Sequence, residues 1–218
     1  MHPIERLRAV ARADWAPADV LASEAAWALA DLGVHEPPAL IPACRRLLAR
    51  HPGCGPLWWL SARVLSAGDP VAEAERCALE LDADLTADEV DDAIAGFRAV
   101  RRGGVGEVAA ADMVVLVVDA VGPEEMIIDG DARGLVDAAR AVEVPIWLEA
   151  GVGRILPPRL WGAMAHRFRA EGSRSAMTGV LESLVGVERI VDPSGSRPAA
   201  VALADVDCPE PSALLGSW

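Results

Sequence analysis

One acidic residue stands at the end of an apolar run, where its type and position could support proton transfer. Asp119 follows six consecutive apolar residues, 113–118, and Gly122-Pro123 comes soon after it. Such a run is typical of a strand buried on both faces, and ligands of open α/β sheets bind at the carboxyl ends of their strands. A carboxylate there could take up and return a proton in general acid–base catalysis. The alternative is that Asp119 accepts backbone hydrogen bonds from the loop that follows it.

Two arginines and a group of acids are the other candidates for ligand contacts. Arg154 and Arg159 follow a second predicted strand, and a guanidinium binds phosphate through two parallel hydrogen bonds. The alternative for both arginines is a solvated surface position. Asp129, with Asp131 and Arg133, lies in the loop and first turn of a predicted helix. Acids at a helix N-terminus complement the helix dipole and repel phosphate, which favours a structural role for Asp129.

Residue types that are missing exclude several kinds of chemistry. The chain contains no Lys, Tyr, Asn or Gln, so every basic residue other than His is Arg. Without lysine there is no Schiff base, no anchor for pyridoxal phosphate and no phosphate-binding lysine of a P-loop. The four cysteines (Cys44, Cys54, Cys77 and Cys208) form no Cys-x-x-Cys pair, which indicates reduced thiols and no zinc site. The sequence therefore predicts no cofactor and no metal.

The charge and hydropathy of the chain limit the classes of partner that it could bind. A formal net charge of −13 argues against nucleic acid, because phosphate backbones are bound by basic surfaces. It leaves room for a small phosphorylated ligand held by a few arginines. No apolar run reaches the ~20 residues that span a bilayer, and the first residues include an acid and two arginines, unlike a signal peptide. We therefore expect a cytoplasmic protein without a membrane segment.

Helical signals dominate residues 1–100 and predict an all-helical N-terminal domain. Prolines, capping residues and glycines supply the boundaries, and apolar residues recur at helical spacing between them. Thr86 with Glu89 three residues later fits a capping box for the last helix. The predicted helices cover 17–32 (ended by Gly33), 38–50, Pro56 to near Gly68, 70–81, and a segment from Thr86 that buries Val90, Ile94 and Phe97.

The pattern changes after residue 103. The strand 113–118, a helix 130–142 and a second strand 144–148 make a βαβ unit, whose strands are parallel and whose crossover is right-handed. A helix from Pro158 follows, and then a β-hairpin or two loosely joined strands within 187–203. The expected architecture is an α/β fold, with a helical domain at 1–100 and a small Rossmann-like domain with a parallel sheet core at 103–218.

Two segments of the βαβ unit resemble a known family. Ala111-Asp-Met-Val-Val-Leu-Val-Val-Asp-Ala-Val121 and Val144-Pro-Ile-Trp-Leu-Glu-Ala150 look like the Rossmann-like half of the translation initiation factor 2B alpha/beta/delta family. Methylthioribose-1-phosphate isomerase and ribose-1,5-bisphosphate isomerase belong to that family too. Asp119 falls on the acid of the family motif. The resemblance implies a helical N-terminal domain, a catalytic role for Asp119, and ligand contacts from Asp129 and Gly130, which stand about where the family has an Asn-Lys pair.

The departures from the family pattern shape the expected function. Asn and Lys are absent, and no cysteine lies between Cys77 and Cys208 to face Asp119, as one does in the family's isomerases. The family also has several strands ahead of the βαβ unit, where this chain has about a dozen residues, which indicates a shortened domain. We therefore expect a catalytically degenerate relative that binds a phosphorylated sugar or nucleotide in a regulatory role, with a homodimer left open.

Two other functions fit the sequence. One is an active sugar-phosphate isomerase that uses Asp119 with an unorthodox partner. The other is a helical protein-interaction module with residues 56–81 as its contact surface. A pocket lined by Asp119 and an arginine would favour ligand binding or isomerisation, whereas an exposed groove along Trp58 and Trp59 would favour the interaction module.

Overall fold

The chain begins with a series of helices and continues with alternating strands and helices. The computed structural model describes residues 3–13, 16–101, 105–171 and 179–216. Its helices are α1 (Pro3–Val10), α2 (Ala18–His35), α3 (Leu40–Arg50), α4 (Gly55–Ser66), α5 (Pro70–Asp82), α6 (Thr86–Ala93), α7 (Val105–Val108), α8 (Arg133–Ala141), α9 (Pro158–Glu171), α10 (Ala199–Ala204) and α11 (Ser212–Leu215). Its strands are β1 (Ala99–Val100), β2 (Met113–Val121), β3 (Glu125–Asp129), β4 (Ile146–Glu149), β5 (Gly179–Ser183), β6 (Val187–Asp192) and β7 (Gly195–Pro198).

The described residues divide into two compact units. The helical unit takes its residues from Met1–Ala83, Leu156–Met177 and Asp207–Trp218, and the sheet unit takes its residues from Asp84–Ile155 and Thr178–Val206. An architecture of N-terminal helices and a Rossmann-like sheet is therefore confirmed. The domain boundaries inferred from the sequence, 1–100 and 103–218, and the shortening of the second domain stay predictions.

The sheet is mixed, with a parallel centre. Its strands follow the order β5-β3-β2-β4-β6-β7, and β1 pairs with β2 beside that path. β1, β2, β4 and β6 are parallel to one another, whereas β3 and β7 run antiparallel to their neighbours. The pairing of β2 with β4 across α8 is the predicted βαβ unit. The hairpin of β6 and β7 lies within the segment predicted to form one.

Side chains on both faces of β2 enter buried clusters, as its apolar run predicts, except at Val117. Val114, Leu116 and Val118 belong to a core with Leu135 and Val136 of α8. Met113 and Val115 belong to a second buried cluster with Val90 of α6. Because side chains alternate along a strand, five of the six apolar residues in the run supply the two clusters, whereas Val117 is 53% exposed.

Several local predictions are wrong, each for an identifiable reason. The segment from Ala199 to Leu203 forms α10 rather than a strand, because alanine is the strongest helix former. The strands β1, β3 and β5 are missed because their apolar runs are short. Phe97 is 55% exposed rather than buried. The proposed capping box is absent, since Thr86 is the first residue of α6 and the carboxylate of Asp84 accepts hydrogen bonds from its backbone N and its hydroxyl.

Gly33 lies inside α2 and does not end it, which corrects a further prediction. The helix continues to His35, and Pro37 follows two residues later. A Cβ atom added to Gly33 would lie 2.9 Å from Cγ2 of Val71 on α5. Glycine is therefore needed at this position for the close approach of two helices. The packing of the helices offsets the lower helix propensity of glycine.

We expect Gly33→Ala to lower the free energy of unfolding by about 1–3 kcal/mol, because overpacking against the stiff side chain of Val71 outweighs the gain in helix propensity. The matched control is Gly162→Ala in α9, where an added Cβ has no neighbour within 4 Å. That variant should be neutral or more stable by up to about 1 kcal/mol. Urea denaturation of both variants makes the comparison, and equal effects would contradict the packing role.

Candidate functional site

β2 changes its hydrogen-bonding partners along its length, and Asp119 lies where the change occurs. Residues 114–117 pair with β4 in parallel, whereas residues 118–121 pair with β3 in antiparallel register. The register with β3 shifts between Val118 and Ala120, so Asp119 is the extra residue of a β-bulge. Bulges redirect a side chain relative to the regular strand. The result is a half-buried acid at the carboxyl end of the parallel pairing.

Arg154 is fixed beside β2 by its backbone and its side chain. Its backbone N donates to the carbonyl of Gly151 at 3.1 Å, closing a turn in which Gly153 has a φ of 73°. Its own carbonyl accepts from the backbone N of Val121 at 2.7 Å. Its guanidinium Nη1 donates to the carbonyl of Val118. These bonds satisfy backbone groups that β2 would otherwise leave unpaired after it separates from β4.

Asp84 holds the turn that carries Arg154. One carboxylate oxygen, Oδ2, accepts from the backbone N of Val152 at 2.8 Å, and the other accepts from the backbone and hydroxyl of Thr86 at 2.9 and 2.6 Å. A Cβ added to Gly151 would lie 2.3 Å from Oδ2 of Asp84. Only glycine leaves room for this carboxylate, so the turn and the start of α6 are joined through one side chain. Nothing in the local sequence around Asp84 indicated this role, because its partner is 68 residues away.

The electrostatic environment of Asp119 is unusual for a carboxylate. Burial raises the pKa of Asp119 above its ordinary value, the guanidinium of Arg154 lowers it, and the carboxylate of Asp129 raises it. The net direction is upward. A half-buried acid with a raised pKa beside a cation, at the carboxyl end of a parallel strand, has the character of a functional site.

The other predicted ligand contacts are only partly brought together. Asp129 is the last residue of β3 and is exposed, and its carboxylate caps the 3-10 turn Gly130–Ala132 by accepting from the backbone N of Asp131 at 3.0 Å. Gly130 is the first residue of that turn. Asp129 therefore has a structural bond in addition to its electrostatic effect on Asp119. Arg159 belongs to the helical unit, where its side chain and backbone contact Glu210.

Glu149 is a neighbour of this site that the sequence reasoning did not single out. It is the last residue of β4 and lies opposite Val117 of β2. Its Oε2 is buried without a hydrogen bond among the described residues, and the nearest cation, Nη1 of Arg101, lies 3.7 Å away. The sequence does contain a pattern that could have identified Glu149, since β4 ends on an acid and the apolar run of β2 is likewise followed by one.

The helical unit buries the residues that were expected to mark an interaction surface. Trp58 is fully buried and donates from Nε1 to the carbonyl of Pro52 at 3.0 Å. Trp59 is 5% exposed, with the guanidinium of Arg63 at 4.9 Å from its ring centre. Arg63 also forms ion pairs with Glu73 and Glu80. The two rings therefore line no exposed groove.

Three of the four thiols have raised pKa values, and no metal-binding cluster occurs in the part of the chain that the structure describes. Burial raises the pKa of Cys44, Cys77 and Cys208 to about 12. No three His, Cys, Asp or Glu side chains there could together hold a metal ion. No described helix has the length and apolar character needed to cross a bilayer.

The class of fold is that of translation initiation factor 2B, as solved structures show. No protein-family profile and no curated protein sequence matches the chain. The tetrameric eIF2B complex of two beta and two delta subunits from C. thermophilum matches with a TM-score of 0.70 and 11% identity, covering 93% of this chain and 92% of that chain.

Two further structures have the same fold. eIF2B beta from Chaetomium thermophilum matches with a TM-score of 0.65 and 10% identity, covering 90% of this chain and 88% of that chain. The eIF-2B protein of Pyrococcus horikoshii OT3 matches with a TM-score of 0.68 and 9% identity, covering 92% of this chain and 98% of that chain. The resemblance drawn from the segments around Asp119 and Pro145 is therefore confirmed at the level of the fold.

The raised pKa of Asp119 makes a prediction about stability. Because the folded state favours the protonated acid, the contribution of Asp119 to stability is fully present below its unfolded-state pKa and is lost as the pH rises through its folded-state pKa. Asp119→Asn should therefore raise the free energy of unfolding at neutral pH, and the gain should shrink as the pH falls through the folded-state pKa and disappear below the unfolded-state pKa of about 3.9. Urea denaturation across this pH range measures the effect. Asp137→Asn, which changes an exposed acid of α8, is the control and should show no such gain.

Proposed function

We propose that the sheet unit binds a small phosphorylated ligand, a sugar phosphate or a nucleotide, in a regulatory role without turnover. The chain would then act as a catalytically degenerate relative of initiation factor 2B. The observation that supports this proposal is the placement of Arg154 beside Asp119, where β2 separates from β4. A homodimer is part of the proposal, in line with the tetrameric assembly of the solved complex of eIF2B beta and delta subunits.

Arg154 has hydrogen-bonding capacity left for an anion. A guanidinium has five N–H donors. The guanidinium of Arg154 uses one of them in the hydrogen bond to the carbonyl of Val118. None of the described carboxylates lies within salt-bridge distance of this guanidinium, although Asp119 acts on it electrostatically. A phosphate would supply the missing anion through paired hydrogen bonds. The carboxyl of Asp119 would then face the hydroxyl groups of the same ligand.

The composition of the sheet unit supports binding rather than turnover. The segments 84–155 and 178–206 contain no Cys, His, Lys or Tyr. Isomerisation of a sugar phosphate requires groups that remove and return protons at matched positions. In the sheet unit the carboxylates alone could do so, and Asp119 has no thiol opposite it there.

One observation favours isomerisation as the second candidate. A raised pKa brings the acid of Asp119 closer to the operating pH, which is how carboxylates are tuned for general acid–base catalysis. The helical interaction module has no comparable support, since Trp58 and Trp59 are buried.

Thermal and urea unfolding with ribose phosphates, methylthioribose 1-phosphate and nucleotides tests the proposal. A ligand present at ~100 times its Kd should raise the free energy of unfolding by ~2.7 kcal/mol. We expect Arg154→Gln and Asp119→Ala to lose most of this shift. Arg98→Ala, which changes an exposed arginine of the same unit, should keep it.

The outcomes separate the candidate functions. A shift without turnover of the bound sugar phosphate supports the regulatory binder, and turnover that depends on Asp119 supports the isomerase. The absence of a shift with every ligand, or a shift that Arg154→Gln leaves intact, would contradict a phosphate site at this position.

A further inference from the structure

The helical unit contains an apolar groove that the proposed function does not use. The groove lies between α1, α2 and α3 and has a volume of about 250 Å³. Leu7, Leu32 and Leu47 contribute to its wall from one helix each, and Ala43 lies on the α3 side. Eight of the ten residues that line it are apolar, and the other two are Arg8 and Arg46. An apolar cleft with a few polar groups is the usual form of a small-molecule site.

The charge around the groove is the reverse of the charge of the chain. The sequence has 33 acids and 20 arginines, yet both charged residues that line the groove are arginines and neither is accompanied by an acid in the lining. Arg8 forms an ion pair with Glu5 on its own helix. Arg46 is exposed and forms no ion pair with any residue that the structure describes. The groove therefore offers an apolar interior and, at Arg46, a positive charge at its rim that no described acid pairs with.

The size and the polarity of the groove restrict what could occupy it. Its volume of about 250 Å³ is just below the range of drug-sized pockets, which begins at about 300 Å³, so one alkyl chain or one small ring fills it. A phosphate or sugar would be poorly suited to the interior, because polar groups buried without hydrogen bonds cost free energy. An alkyl group that ends in an anionic head suits both the apolar interior and the arginines at the rim. The alkyl group enters the interior, and the head stays at the rim with the guanidiniums.

We propose that this groove binds a linear aliphatic carboxylate of medium length, with its carboxylate at Arg46 and Arg8 and its alkyl chain against Leu7, Leu32 and Leu47. The site is independent of Asp119 and Arg154. It would allow an aliphatic acid to stabilise the packing of α1 on α2 and α3, because a ligand that binds only the folded state shifts the equilibrium toward it.

Titration calorimetry of the full chain with butanoate, hexanoate and octanoate tests the inference. Kd should fall about fourfold for each added CH₂ until the groove is full. Octylamine, which has the same chain and the opposite charge, should bind at least about fivefold more weakly than octanoate. Arg46→Glu should weaken octanoate binding by about the same factor, and the difference should decrease at high salt.

Two further variants locate the site. Arg50→Glu changes an exposed arginine one turn further along α3 that does not line the groove, so it should leave octanoate binding nearly unchanged. Ala43→Phe places a ring in the groove and should abolish binding, while Arg46→Glu remains the decisive variant if Ala43→Phe does not fold. Equal binding of octanoate and octylamine, no dependence on chain length, or equal effects of Arg46→Glu and Arg50→Glu would overturn the inference. Concentration-dependent dimerisation that Arg46→Glu abolishes would assign the groove to a second copy of the chain and would also overturn it.

Discussion

The sheet unit depends on how β2 satisfies its backbone hydrogen bonds after it separates from β4. A strand in the middle of a sheet must have partners on both edges, because buried N–H and C=O groups without partners are costly. From residue 118 onward, β3 takes one edge in antiparallel register. On the other edge, the carbonyl of Val118 accepts from the guanidinium of Arg154 and the backbone N of Val121 donates to the carbonyl of Arg154. The same solution brings a cation next to Asp119, so the site follows from the backbone requirement.

The turn that carries Arg154 depends in turn on Asp84. Its carboxylate binds the backbone of Val152 and lies where a side chain on Gly151 would be. One acid thus fixes the start of α6 and the loop after β4. Arg197 has a similar role between Asp192 and Asp205 in the β6–β7 hairpin and the end of α10. In a chain without lysine, planar guanidiniums supply these fixed contacts, for which their geometry is well suited.

The parts of the fold that were predictable are those with strong local patterns. The run 113–118 identified β2, and the spacing of Leu135, Val136 and Ala139 identified α8, because burial imposes a period on the sequence. The short strand β3 was not recognised, since three apolar residues between acids do not make a clear alternation. Gly33 matches the local pattern of a helix end, whereas the contact that requires glycine there is with Val71, on another helix.

The candidate site was predictable in part for the same reason. The position of Asp119 follows from the local pattern, and Arg154 was recognised as a cation after the second strand. The bulge at Asp119, the bond from Arg154 to Val118 and the contribution of Asp84 depend on contacts between segments far apart in sequence. No local pattern carries that information.

An NMR titration of the Asp119 carboxyl group, in the wild type and in two variants, tests most directly whether Arg154 and Asp129 surround this acid. We predict that the pKa of Asp119 is above its ordinary value in the wild type, rises further in Arg154→Gln and falls in Asp129→Asn. A pKa of Asp119 at its ordinary value of about 3.9, unmoved by either substitution, would contradict the arrangement on which the proposed site depends.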